Sequence, residues 1–202
     1  MKGENGLKLS SRDGTPYPLS KLIEDSIIEA KRMLKEHSPN RNVEEEEEII
    51  SKSVALSSIK YFDLIHPKDY KFSFSEMLNY KGKTGVYLLY AITRINSLLK
   101  KSTSIKKDIL SSNVSLSTPE ERFLALNVLK FSDVILDIQN TLSPLQLCEY
   151  LLNLAISFHA FYDKVPILNT PHELERLKLS IAVEIVLTKG CNLLGIETLE
   201  KM

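Results

Sequence analysis

The sequence predicts an all-α fold: a bundle of about six helices forming one domain over residues 18–202, behind an irregular appendage at residues 1–17. Three observations predict it. Apolar residues recur at three- and four-residue steps through most of the chain, and no stretch alternates apolar with polar residues over the length of a strand. Seven glycines and eight prolines in 202 residues are too few for a turn-rich sheet. Three segments open with Ser or Thr, then Pro, with Glu or Gln at the third helical position, which is how capped helices begin. A 43% apolar and 26% charged composition is that of an ordinary globular chain.

Residues 1–17 are polar and carry Gly3, Gly6, Gly14 and Pro16, so they read as a loop. The first helix runs from about Leu19 to Glu36, with Leu22, Ile23, Ile27, Ala30 and Leu34 on one face, and HSPNRN ends it at Pro39. The second covers VEEEEEIISKSVALSSIKYFDL. Its run Glu44–Glu48 fills the first turns, where the positive end of the helix dipole favours acids. Ser51, Ser53, Ala55, Ser57 and Ser58 leave room for a close neighbour. The third helix is Thr84–Lys101, roughly 27 Å long. The rest are 119–139 with a break near Ser132 and Asp133, 144–162, and 171–189, capped by Thr118, Ser143 and Thr170. Gly190 reads as the terminator, with a half-turn reaching Leu194 before Gly195. Cys148 and Cys191 fall inside apolar patterns and read as small buried hydrophobes in a reducing, cytoplasmic compartment.

No apolar run approaches the ~20 residues that span a bilayer, and the first residues lack the apolar core of a signal peptide. His37, His66, His159 and His172 stand apart from the cysteines and from any metal-ligand spacing, so no metal site is expected. The GKT triplet at 82–84 lacks the spacing of a phosphate-binding loop, and no nucleophile elbow or dinucleotide fingerprint is present. The chain shows no complete active site.

What stands out is charge. The net charge is zero, yet Met77–Lys107 contains seven of the 26 basic residues and none of the 26 acidic ones. Within the third helix Leu88, Ile92, Ile95 and Leu99 form a core seam, and Tyr87, Tyr90, Arg94, Ser97 and Lys101 form a second stripe on another side. Rings beside guanidinium and ammonium groups suit unpaired nucleotides, since rings and Arg planes stack on bases while cations meet phosphate. The same residues also fit a plainer reading, in which the tyrosines bury their rings at the bundle edge and the lysines are solvated.

Several strings resemble the anticodon-binding (DALR-type) domain of arginyl-tRNA synthetases, of the eukaryotic type: ALSSIKYFDL, then FSFSEMLNYKGKTGVYLLYAITRINSLLKK, then CEYLLNLAISFHAFYDKVPIL, and the ending RLKLSIAVEIVLTKGCNLLGIETLEKM. The likeness covers nearly the whole chain in order. Leu-Leu-Gly-Ile followed by a terminal Lys201-Met202 is in the family's style, with Lys where Arg is common. GENGLKLSSRDGTPYPLSKLIEDS is similar to the segment joining the catalytic domain to the bundle, and Lys8, Leu9, Ser10, Ser11 and Arg12 fall where class I synthetases carry a KMSKS-type loop that steadies ATP phosphates. Leu9 and Ser11 depart from that pattern.

The resemblance implies a C-terminal part of an arginine–tRNA ligase, whose full-length form would use ATP and Mg2+, while this part carries no cofactor and is inactive alone. It implies tRNA(Arg) as partner, with neither DNA nor membrane. It also implies contacts from the loop Asn79, Tyr80, Lys81, Gly82, Lys83 and Thr84, from Tyr87, Tyr90, Arg94 and Lys101, from Tyr162 and from Met202. Two other expectations stay open beside it: a synthetase-derived protein-interaction module, served by the acidic helix and the apolar C-terminus, and the anticodon-binding domain of a related class I synthetase such as the cysteinyl type.

Overall fold

The computed structural model describes residues 18–37, 44–66, 68 and 71–202; the Lys8–Arg12 loop and all of the HSPNRN break after His37 lie outside the described residues. Among these the chain forms α1 (Leu19–His37), α2 (Glu44–Ile65), α3 (Phe74–Met77), α4 (Gly85–Lys101), α5 (Lys106–Ser111), α6 (Pro119–Leu129), α7 (Phe131–Thr141), α8 (Pro144–Lys164) and α9 (Glu173–Leu193), with no β-strand. The six expected helices are α1, α2, α4, α6 with α7, α8 and α9. The break in the fourth falls at Lys130 rather than near Ser132. No described helix is long and apolar enough to cross a membrane.

Two apolar cores organise the bundle. The larger joins α2, α4, α6, α8 and α9 around Leu88, Ile92, Ile95, Leu124, Leu151, Phe158, Phe161 and Leu177. The smaller joins α1, α2, α3 and the start of α4 around Ala30, Val54, Met77, Val86 and Leu89. Helix α4 contributes to both, and its side bearing Tyr87, Tyr90, Arg94, Ser97 and Lys101 is left half-buried or exposed. Burial at these positions follows the 3.6-residue period of α4.

Small residues set the close approaches. Ser51, Ala55, Ser57 and Ser58 of α2 are buried. A Cβ on Gly85 would sit 2.8 Å from the Ser57 carbonyl oxygen, so α4 starts in backbone contact with α2. Gly190 is not a terminator: it lies inside α9, where a Cβ would meet Leu151 Cδ2 of α8 at 2.4 Å. The helix ends at Leu193 instead, and Gly195 just past its cap takes φ +67°. Ile196 N–H donates to the Cys191 carbonyl and Gly195 N–H to the Asn192 carbonyl, the paired bonds of a glycine-terminated helix. Cys148 and Cys191 are buried free thiols.

Of the three expected caps, one forms in full. Thr118 accepts from Glu121 N–H while the Glu121 carboxylate accepts from Thr118 N–H. Ser143 makes no side-chain cap bond. Thr170 donates to the Ile167 carbonyl, and α9 begins only at Glu173, whose carboxylate accepts from Asn169 N–H. Local chemistry there is diverted to the loop. The acidic run does open α2, and its Glu47 pairs with Lys31 and Lys35 of α1.

Beyond Gly195 the chain leaves α9 as a strap held by side chains of two helices. Lys60 donates to the Gly195 carbonyl, Ser57 to that of Glu197 and Asn96 to that of Glu200. Ile196 is buried, and Leu199 and Met202 pack against the smaller core, so the apolar C-terminus is occupied within the bundle.

Candidate nucleic-acid interface

The residues 79–84 reach α4 through a tight loop. Asn79 Oδ1 accepts from Lys81 N–H at 2.9 Å, and Thr84 N–H donates to the Gly82 carbonyl at 3.0 Å. Gly82 takes φ +103°, a conformation open to glycine, with nothing near a would-be Cβ. Thr84 is buried: its hydroxyl donates to the Asn79 carbonyl at 2.6 Å and accepts from Tyr87 N–H at 3.2 Å, capping α4. Asn79 and Thr84 therefore shape the loop, while Lys81 and Lys83 stand exposed on it.

Behind the loop lies a cavity of about 740 Å³. It is lined by Tyr80, Lys81, Gly82 and Lys83 from the loop, Tyr87, Tyr90 and Arg94 from α4, Leu152, Ile156, His159 and Asp163 from α8, and Met202 from the strap. Tyr87, Tyr90 and Arg94 are half-buried, neither sealed in the core nor fully exposed. Tyr80 meets Tyr90 edge-on at 5.6 Å. Tyr90 stacks on His159 at 5.6 Å and 28°, and Tyr87 tilts against the same ring at 4.7 Å.

Arg94 sits between two rings, its Cζ 4.7 Å from the centroid of Tyr90 and 4.4 Å from that of Tyr162. Its Nη1 lies 3.1 Å from His159 Nδ1 and 3.4 Å from Asp163 Oδ1. The carboxylate contact is long and well solvated, so the guanidinium is steered by Asp163 rather than neutralised by it. Burial raises the Tyr87 phenol, and burial with the Arg94 charge beside it lowers the His159 imidazole to about 4. At neutral pH the cavity presents neutral rings, the cations Lys81, Lys83 and Arg94, and one acid, Asp163.

The expected residues thus divide. Tyr80, Lys81, Gly82, Lys83, Tyr87, Tyr90, Arg94 and Met202 line one cavity. Tyr162 backs Arg94 from outside it. Lys101 is exposed at the far end of α4, roughly 21 Å along the helix from Tyr87. The α8 wall escaped the sequence reading, although Leu152, Ile156, His159 and Asp163 follow steps of four, three and four and so share one face. Among the described residues no group of three His, Cys, Asp or Glu side chains could hold a metal ion.

Comparisons with known proteins bear on this geometry. The DALR anticodon binding domain family matches residues 88–202, and the family of class I (R) tRNA synthetase catalytic domains matches residues 1–74. An arginine–tRNA ligase of Pasteurella multocida is 36% identical over the whole chain, which covers 37% of that protein. The solved arginyl-tRNA synthetase of Thermus thermophilus superposes over the whole chain with a TM-score of 0.85 at 29% identity, and that of Plasmodium falciparum over 92% of it with 0.79 at 36%; the chain covers 34% of each. The chain spans about a third of the length of the relatives it matches.

Proposed function

This chain belongs to the DALR anticodon binding domain family, and we propose on that premise that it is the C-terminal, anticodon-reading part of an arginine–tRNA ligase, with tRNA(Arg) as its partner. One observation carries the reading: loop, α4, α8 and strap converge on a cavity whose walls are rings and cations. Its volume falls in the range of small-ligand clefts, about 300–1,000 Å³, and so admits bases that have left their stack. Tyr80, Tyr87 and Tyr90 offer ring faces and edges, and Met202 and Ile156 offer polarizable and apolar surface. Lys81 and Lys83 stand where phosphates would pass, and Lys101 extends the basic track along α4. The acid-free window contributes no like charge to that path, and Asp163 of α8 is the one acid among the lining residues.

Joining arginine to tRNA with ATP is assigned to the longer enzyme. The described bundle offers no carboxylate cluster for Mg2+. The Lys8–Arg12 loop lies outside the described residues. A cytoplasmic setting fits two buried free thiols. The narrower eukaryotic-type assignment rests on the loosened Lys8–Arg12 pattern and the likeness to the Plasmodium falciparum enzyme, while bacterial ligases match at similar identity. An arginine rather than cysteine specificity is supported by the relatives' shared name.

The test is affinity for tRNA(Arg). Replacing Tyr87, Tyr90 or Arg94 by Ala weakens binding by roughly 1–3 kcal/mol each where stacking contributes. Equal affinity of the wild type and the triple variant rejects the proposal. A protein-interaction module has one observation in its favour: Phe123, Leu126, Leu129, Leu136 and Leu142 on α6, α7 and their ends are 57–83% exposed. Binding through that face would be insensitive to salt, unlike binding to RNA.

A further inference from the structure

We infer that His159 is a positioning residue for the RNA site: as a neutral ring with its proton on Nε2, it accepts a hydrogen bond from Arg94 and fixes the guanidinium between Tyr90 and Tyr162. The inference rests on the proposed reading of the cavity as an RNA site.

The tautomer follows from the partner. A guanidinium has donors and no acceptor. At 3.1 Å from Arg94 Nη1, His159 Nδ1 is therefore the accepting, bare nitrogen, and the proton goes to Nε2, which is buried without a hydrogen-bond partner among the described residues. The ring is 7% exposed and walled by Tyr87, Tyr90 and Phe158 at 4.7, 5.6 and 5.7 Å, so it cannot swing away. The charged groups around it are Arg94 on α4, Asp163 on α8 and the rim cations Lys81 and Lys83. Asp163 is 64% exposed and 3.4 Å from Nη1, too loose a partner to hold Arg94 alone. The Tyr rings hold the plane of the guanidinium but not its rotation. His159 supplies the directional contact, leaving Nε and Nη2 of Arg94 without protein partners among the described residues. An arginine ordered beforehand does not lose its rotamer freedom again on binding.

The experiment compares the wild-type chain with His159→Phe, which keeps a ring but cannot accept, and His159→Asn, which restores an acceptor near Nδ1. The probe is the anticodon stem-loop RNA of tRNA(Arg), read at fixed salt, together with the 15N spectra of the His159 ring and the Arg94 Nε–H. The Phe variant should bind about tenfold more weakly, with its Arg94 Nε–H merged into the mobile arginines, and the Asn variant should stay within about threefold of wild type. Equal binding by the Phe variant, equal loss in both variants, or a protonated Nδ1 in the wild type at pH 7 overturns the inference. Should the Phe variant fail to fold, the wild-type ring spectrum and the Asn variant decide. If the wild type does not bind the RNA at all, the proposed function falls. The spectra still judge the arrangement: a bare Nδ1 with an ordered Arg94 keeps it, and a mobile Arg94 ends it.

Discussion

Arg94 is surrounded by groups that hold it without cancelling it. Two tyrosine faces and a neutral imidazole stabilise a cation while leaving its charge to act outward, which a close carboxylate would not allow. The cost falls on His159, which must stay unprotonated. Burial first, then the Arg94 charge, push its pKa down from 6.5 to about 4, against a smaller upward pull from Asp163 and the Tyr87 backbone. The unfolded chain takes up this proton near pH 6.5 and the folded chain only near pH 4. Between those values the unfolded state binds more protons, so stability falls as pH drops through that window, by a total on the order of 3 kcal/mol from this group. Urea unfolding at pH 7 and pH 4.5 should show a larger loss for the wild type than for His159→Asn. Equal losses would mean that the ring is not held neutral.

Helices meet in this bundle through glycines, small residues and, between α6 and α9, a buried ion pair. Glu121 on α6 accepts from Thr118 N–H, from the Ser117 hydroxyl and, at 2.7 Å, from Arg176 Nε of α9. Burial alone would raise its carboxyl, but these donors together hold it down to about 2. Arg176 also donates to the Pro166 carbonyl and the Thr170 hydroxyl, tying the loop before α9 to the start of α6. Glu121→Ala removes a cap, worth about 1 kcal/mol, and strands a buried guanidinium, so the expected cost is about 3–5 kcal/mol in chemical denaturation. A loss near 1 kcal/mol would show that the two remaining acceptors satisfy Arg176. The cap of this pair was legible, because Thr118-Pro119-Glu120-Glu121 is a local pattern; its partner 55 residues away was not. The same contrast runs through the site. Helix α4 announced its second stripe because Tyr, Arg and Lys are out of place in a core. On α8 the equivalent stripe, Leu152, Ile156, His159 and Asp163, merges into an apolar helix and shows itself only when α4 packs against it. Helices α3 and α5, at four and six residues, are too short to carry a period. Gly190 gave the wrong signal because a helix stop and a close helix crossing ask for the same residue.

At the scale of the molecule, the interface is made by convergence rather than by net charge. The two cores leave one side of α4 uncovered, the strap crosses α2 and α4 to bring Met202 beside it, and the loop brings two lysines to its rim. A chain with zero net charge gains no attraction to RNA from its total charge, so its electrostatic binding has to come from the cations placed along the path. Lys81, Lys83, Arg94 and Lys101 are the four that the proposal puts there. Each cation that meets phosphate on a single strand releases about 0.7 counterion, so the logarithm of the binding constant should fall against that of salt with a slope of about −3. Replacing Lys81, Lys83 or Lys101 by Ala should lower the magnitude of that slope by about 0.7 each, because all three are exposed, Lys81 and Lys83 at the rim of the cavity and Lys101 beyond it. Tyr87→Ala should instead weaken binding at every salt concentration and leave the slope unchanged, since a ring carries no counterion. A slope unaltered by the lysine substitutions, with affinity still dependent on Tyr87, would confine the contact to bases within the cavity and remove phosphate from the account.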